Sequence, residues 1–165
     1  MTAKPRILII EARFYEELAD AMLRGAVAEL EAHQASWRRQ WVPGAFELPA
    51  ALAMALKRMA RGGDEDANYD GFIALGCVIE GETDHYEHIC REASRGLMDL
   101  AIAHAIPLGF GLLTCRTYEQ AQERARPDGL NKGSDAARAC LRMIELKRAF
   151  LQGEEAAAPS APPKA

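Results

Sequence analysis

The residues able to do chemistry fall in short clusters, the first three at 11–15, 42–47 and 78–85. The first holds Arg13-Phe14, whose ring could simply staple the start of a helix. The second is Pro43-Gly44-Ala45-Phe46-Glu47. Glu47 is a carboxylate in a first helical turn, which suits the helix dipole whatever its function. In the third, Gly81-Glu82-Thr83-Asp84 reads as a helix start capped by Thr or Asp. The same free N–H groups, with the Thr83 hydroxyl, make an anion site. His85, one turn inside that helix, would sit beside the anion, and imidazole gives and takes protons near neutrality. A fourth cluster, 114–117, follows the last apolar run. Beyond it, Arg124 and Lys132 bracket a Pro/Gly loop. A guanidinium grips phosphate with two parallel hydrogen bonds and an ammonium adds a point charge. Taken alone, the pair is better explained as a solvated basic loop.

Several other chemistries lose their support. His85-Tyr86-Glu87-His88 has a spacing that could converge on a metal, but no third ligand is near and the His-Glu-x-x-His order is absent. His88 is expected to face solvent or a neighbour. Neither a Gly-x-x-x-x-Gly-Lys-Ser/Thr nor a Gly-x-Gly-x-x-Gly occurs, which argues against nucleotide hydrolysis and dinucleotide binding. There is no Gly-x-Ser-x-Gly elbow. Cys77, Cys90, Cys115 and Cys140 form no Cys-x-x-Cys pair and read as buried thiols. Apolar surroundings would raise the pKa of Cys77 and make it inert.

These clusters need a scaffold, and the chain alternates short apolar runs with long amphipathic stretches. Strands are expected at 7–10, 36–42, 72–79 and 107–114, with Glu11 and Arg13 interrupting the first run. Helices are expected at 15–33, 47–61, 84–105, 118–124 and 134–150. The run Phe72-Ile73-Ala74-Leu75-Gly76-Cys77-Val78-Ile79 is apolar on both faces, as in parallel sheets covered by helices on each side. The βαβα rhythm gives an α/β domain with a parallel four-stranded sheet. Ligands of such sheets bind beyond the carboxyl ends of the strands, where the first clusters fall. One domain is expected over 1–152, with a solvated loop at 62–66 and an Ala/Pro tail over 153–165 that buries too little to order itself.

The 165 residues, 49% hydrophobic and 27% charged, suit one self-sufficient core. With 20 Lys+Arg against 24 Asp+Glu the net charge is −4, a poor match to nucleic acid. No apolar run approaches membrane-spanning length. The first residues lack a secretory h-region, so a cytoplasmic location is expected.

Several motifs, in order and at matching spacing, resemble those of the lumazine synthases, the penultimate enzymes of riboflavin biosynthesis. They are Arg13-Phe14, Val42-Pro43-Gly44-Ala45-Phe46-Glu47-Leu48-Pro49, Leu75-Gly76-Cys77-Val78-Ile79, and Gly81-Glu82-Thr83-Asp84-His85-Tyr86. Phe110-Gly111-Leu112-Leu113-Thr114, Glu119-Gln120-Ala121 with Arg124-Ala125, and Asn131-Lys132-Gly133 complete the set. The resemblance covers about residues 6–150. It implies a flavodoxin-like three-layer α/β/α sandwich and a transferase reaction. That reaction condenses 5-amino-6-(D-ribitylamino)uracil with 3,4-dihydroxy-2-butanone 4-phosphate to 6,7-dimethyl-8-ribityllumazine, phosphate and water, with no metal or organic cofactor.

Carried over residue by residue, the resemblance makes His85 the proton-transfer group. Phe14 would stack on the pyrimidine and Glu47 would hold the ribityl hydroxyls. Ala45, Phe46, Val78 and Ile79 would line the pocket, the last two through backbone groups. Arg124, the Thr83 hydroxyl and the Glu82 N–H would hold the phosphate. Phe110, Lys132 and Arg124 would come from an adjacent subunit of a pentamer or a sixty-subunit shell. Two residues depart from the family's pattern. Tyr15 stands where Asn is frequent, and Glu80 where Arg is usual. Glu80 reverses a charge near the phosphate site, which either weakens anion binding or is met by an arginine across an interface. A catalytically weak, ligand-binding or shell-forming relative of the same fold is the alternative these departures raise.

Overall fold

The computed structural model describes residues 4–62 and 68–153. The expected loop at 62–66, apart from Gly62, and the expected tail beyond Gly153 lie outside the described residues.

Four strands form one parallel sheet. β1 (Arg6–Ala12) lies between β2 (Ser36–Val42) and β3 (Gly71–Ile79), and β3 pairs with β4 (Leu108–Cys115), giving the order β2-β1-β3-β4. Alternation along the two central strands divides the core. Ile7, Ile9, Ile73 and Leu75 meet α1 (Glu16–Ala32), α4 (Tyr118–Ala125) and α5 (Lys132–Gln152) on one face. Leu8, Ile10, Phe72 and Ala74 meet α2 (Leu48–Arg61) and α3 (His85–Ala103) on the other. This is the expected three-layer sandwich, in the flavodoxin-like strand order, with its direction of winding reversing between β1 and β3.

Element boundaries depart from expectation where local chemistry decides them. β1 does not stop at Ile10: it runs through Glu11 to Ala12, with Glu11 fully buried. Two arginines meet that carboxylate, which periodicity alone does not reveal. Glu47 is not inside a helix. It closes a single 3-10 turn, Ala45–Glu47, and α2 starts at Leu48 because Pro49, lacking an N–H, fits only a first turn. His85 is the first residue of α3 instead of one turn in. α5 begins at Lys132, before Ser134, because Asn131 adopts a left-handed conformation (φ 50°) and its side chain accepts from the Ser134 N–H.

α1 and α5 touch backbone to backbone. A Cβ on Gly133 would strike the Met22 carbonyl, and one on Gly25 would strike the Asn131 side chain. Beside this contact the Ser134 hydroxyl donates to Glu29 at 2.7 Å and Arg138 donates to it at 3.1 Å. Burial pushes the Glu29 carboxyl up, but the bonds from Arg138 and Ser134 outweigh it and hold it below the ordinary carboxylate range. A carboxyl lowered by folding stabilises the fold above its ordinary titration range and loses that contribution as pH falls.

Two outcomes follow. Gly133→Ala should cost about 1–3 kcal/mol in urea unfolding, as overpacking does; an unchanged midpoint would show that the helices separate freely. Glu29→Gln should be destabilised at pH 7 and converge on the parent below about pH 4. Superimposable unfolding curves at pH 7 would remove Glu29 from the acid response.

Candidate active site

A cavity of about 660 Å³ opens beyond the carboxyl ends of β1, β2 and β3, at the reversal of winding. Its walls come from the first three clusters. The Arg13 N–H donates to the Val42 carbonyl at 3.0 Å, extending the ladder past β1. Phe14 then leaves the sheet with its ring 72% exposed, edge-on to Tyr15 at 4.9 Å between centroids. After β2, Gly44 to Glu47 wraps the floor. A Cβ on Gly44 would come within 3.2 Å of a Glu47 carboxylate oxygen, so glycine leaves that carboxylate its place. At the end of β3, Val78 and Ile79 reach the wall, and the chain then turns through Gly81 and Thr83 into His85. The Thr83 hydroxyl accepts from the His85 N–H at 3.4 Å, presenting hydroxyl and imidazole side by side.

The structure therefore brings together Phe14, Ala45, Phe46 and Glu47 from one side and Val78, Ile79, Thr83 and His85 from the other. Glu82 lies between two lining residues but is exposed and off the wall. Three further expected site residues are absent from this wall. Phe110 sits on the edge strand β4, half exposed. Arg124, in the last turn of α4, donates to the Gln120 carbonyl at 3.1 Å, and Lys132 pairs with Asp135 at 2.9 Å. Among the described residues, no Arg or Lys lines the cavity.

Sequence reading missed part of the wall. His88, expected to face solvent or a neighbour, lines the cavity with Tyr86 and Ile89. Residues 85, 88 and 89 share a helical face. That signal was present in the His85-Tyr86-Glu87-His88 spacing, where it was weighed only as a metal site. Cys77 and Tyr15 also reach the cavity. Burial, with the neighbouring Cys115, pushes the Cys77 thiol up to about 12. Burial also raises Tyr15 and Tyr86, which stay phenols. His85, His88 and Glu47 are the other ionisable side chains of the wall.

The departures find partners inside the chain. Glu80 is met by Arg116 of its own chain at 3.8 Å, both exposed. Tyr15 packs edge-on toward Tyr118 at 6.3 Å, and the Tyr118 hydroxyl donates to Glu17 at 3.2 Å. Among the described residues, no three His, Cys, Asp or Glu side chains are grouped to hold a metal ion. Among the same residues, no helix is long and apolar enough to cross a membrane.

Fold and site together define a class: a doubly wound α/β protein with a cavity at its switch point, aromatic on one side and bounded by the first turn of α3 on the other. The family model described as 6,7-dimethyl-8-ribityllumazine synthase matches residues 4–148. The chain is 52% identical to 6,7-dimethyl-8-ribityllumazine synthase 1 of Rhodopseudomonas palustris over 143 residues, 87% of this chain and 86% of that one. It is 52% identical to the 6,7-dimethyl-8-ribityllumazine synthase of Agrobacterium fabrum over 147 residues, 88% and 97% of the two chains. Synthase 1 of Rhizobium meliloti is 54% identical over 142 residues, 86% and 91% of the two chains. The chain belongs to the 6,7-dimethyl-8-ribityllumazine synthase family.

At pH 8 a thiol with a pKa of about 12 is ionised in roughly one molecule in ten thousand. Iodoacetamide should therefore leave Cys77 unmodified in the native protein and label it after denaturation. Rapid native labelling, seen by peptide mass spectrometry, would reopen a nucleophilic role.

Proposed function

We propose that this protein condenses 5-amino-6-(D-ribitylamino)uracil with 3,4-dihydroxy-2-butanone 4-phosphate to 6,7-dimethyl-8-ribityllumazine, releasing phosphate and water. One observation carries the reading: Phe14, Glu47, Thr83 and His85, from separate segments, converge on one cavity. The amine attacks the ketone to form an imine with loss of one water, phosphate is eliminated, and ring closure loses a second water. Such steps need positioning and proton transfer more than a strong electrophile. Phe14 stacks on the pyrimidine, and Glu47 accepts from the ribityl hydroxyls. His85 moves protons. Thr83 and the N–H groups at the start of α3, including that of Glu82, receive the phosphate. Val78 and Ile79 offer backbone groups to the ring, with Ala45 and Phe46 beneath it.

A phosphate dianion calls for a cation, and the cavity wall supplies none. In this reading Arg124 and Lys132, with Phe110, come from a neighbouring copy in a pentamer or a sixty-subunit shell, and the site works only at a subunit interface. The protein acts in the cytoplasm without a metal or organic cofactor. The weaker-binder alternative is less favoured: Glu80 has Arg116 of its own chain 3.8 Å away, and Tyr15 packs toward Tyr118.

Mixing the two substrates with the protein should yield the fluorescent lumazine; formation no faster than the uncatalysed background overturns the reading. Arg124→Ala should raise KM for the butanone phosphate about tenfold or more, the scale of a lost charge-assisted pair. His85→Ala should lower kcat by about 10–100-fold, at or below the usual range for acid–base groups. With the butanone phosphate held well below KM, where both variants are slow, co-assembling them should restore roughly a quarter of parent activity if each site draws on two copies. Sites built within one chain would give no recovery.

A further inference from the structure

Glu11 is the buried charge that the chemistry above does not use. It lies in β1 between Trp41 of β2 and Leu75 of β3, with no exposed surface. Its Oε1 takes the Arg13 guanidinium at 3.4 Å and that of Arg39 at 3.2 Å. Among the described residues its Oε2 has no hydrogen-bond partner. An aliphatic residue would fill this position without desolvating a charge, and exchanging buried ion pairs for apolar groups is often neutral or stabilising. A buried carboxylate with an unpaired oxygen needs another explanation.

Its partners supply one. Arg13 is the last residue before the ring of Phe14, and its Nη1 also donates to Asp20 of α1 at 2.8 Å. The guanidinium is thus clamped between strand and helix, with the turn carrying Phe14 strung between them. Arg39 ties the same carboxylate to β2, whose end leads into the segment holding Glu47. Phe14 is too exposed for packing to fix its ring, so its backbone anchors must do so. On the far side that anchor is Tyr15, whose ring packs against the core and toward Tyr118. On the near side it is Arg13.

We infer that Glu11 is a positioning residue: acting through Arg13, it fixes the turn that presents Phe14 to the planar substrate. The inference rests on the proposed stacking role of Phe14. Stacking is sensitive to tilt and offset, so a loosened turn costs affinity for the heterocycle and spares the phosphate end.

Steady-state kinetics on the full chain with each substrate varied in turn provide the test. Glu11→Gln keeps the shape and removes the charge; Asp20→Asn loosens the other anchor at the surface, and carries the test if the first variant fails to fold. KM for the ribitylaminouracil should rise about tenfold in the first and about threefold in the second, within the range of a displaced stacking partner. KM for the butanone phosphate should stay within about twofold of parent. In a Phe14→Ala background the Glu11→Gln effect should vanish, since coupled residues are not additive. Equal rises in both KM values, unchanged values in a folded variant, or a full effect without the Phe14 ring would overturn the inference. If the parent protein turns over and Glu11→Gln leaves the pyrimidine KM untouched, only this inference falls. A parent protein that makes no lumazine sinks the functional reading with it.

Discussion

Everything in this fold depends on two neighbouring strands, β1 and β3, that are apolar on both faces. Neither can face water, so helices must cover the sheet twice. Right-handed crossovers then send α1 to one face and α2 to the other. The chain leaves β1 and β3 in opposite directions, and the crevice between them is the one place at the carboxyl edge that no connection fills. The cavity is thus a consequence of how the core is covered. Three segments that leave strand ends there inherit its walls, whatever side chains they carry.

A second constraint places the two cations. Glycines 25 and 133 let α1 and α5 approach until backbone meets backbone, and Asn131 turns the chain sharply into α5. That places Lys132 at the start of α5, and Arg124 lies in the last turn of α4 just before it, away from the chain's own cavity. The result is a molecule with an aromatic and hydrogen-bonding cavity at one place and these cations at another. The acidic net charge is no guide to an anionic substrate in such an arrangement. A few donors at fixed positions decide binding, and their field is local once salt screens it.

Much of the layout was legible from period and punctuation. The strand at Gly71–Ile79 announced its double burial, and the stripe Leu18, Met22, Ala26 and Leu30 announced the buried face of α1. The cluster positions followed from the rule that parallel sheets bind at carboxyl ends, and Phe14, Glu47, Thr83 and His85 lie on one wall as that rule requires. Failures came where a side chain's environment overrides its type. Glu11 read as a strand breaker because a charge costs too much in a core, yet Arg13 and Arg39 meet it there. His88 read as facing solvent or a neighbour; it is exposed, and only the fold shows that the space it faces is the cavity.

The sequence by itself therefore determined which elements form, which faces they bury and which end of the sheet carries chemistry. Those properties are local or periodic, and each residue's hydrophobicity and backbone preference report them. Only the tertiary structure decided which charges meet. Glu80 finds Arg116, Glu29 finds Arg138, and Glu11 finds Arg39 across strands or between helices far apart in the chain. An ion pair depends on the distance and dielectric between two groups, and neither is written in the spacing of residues along a chain.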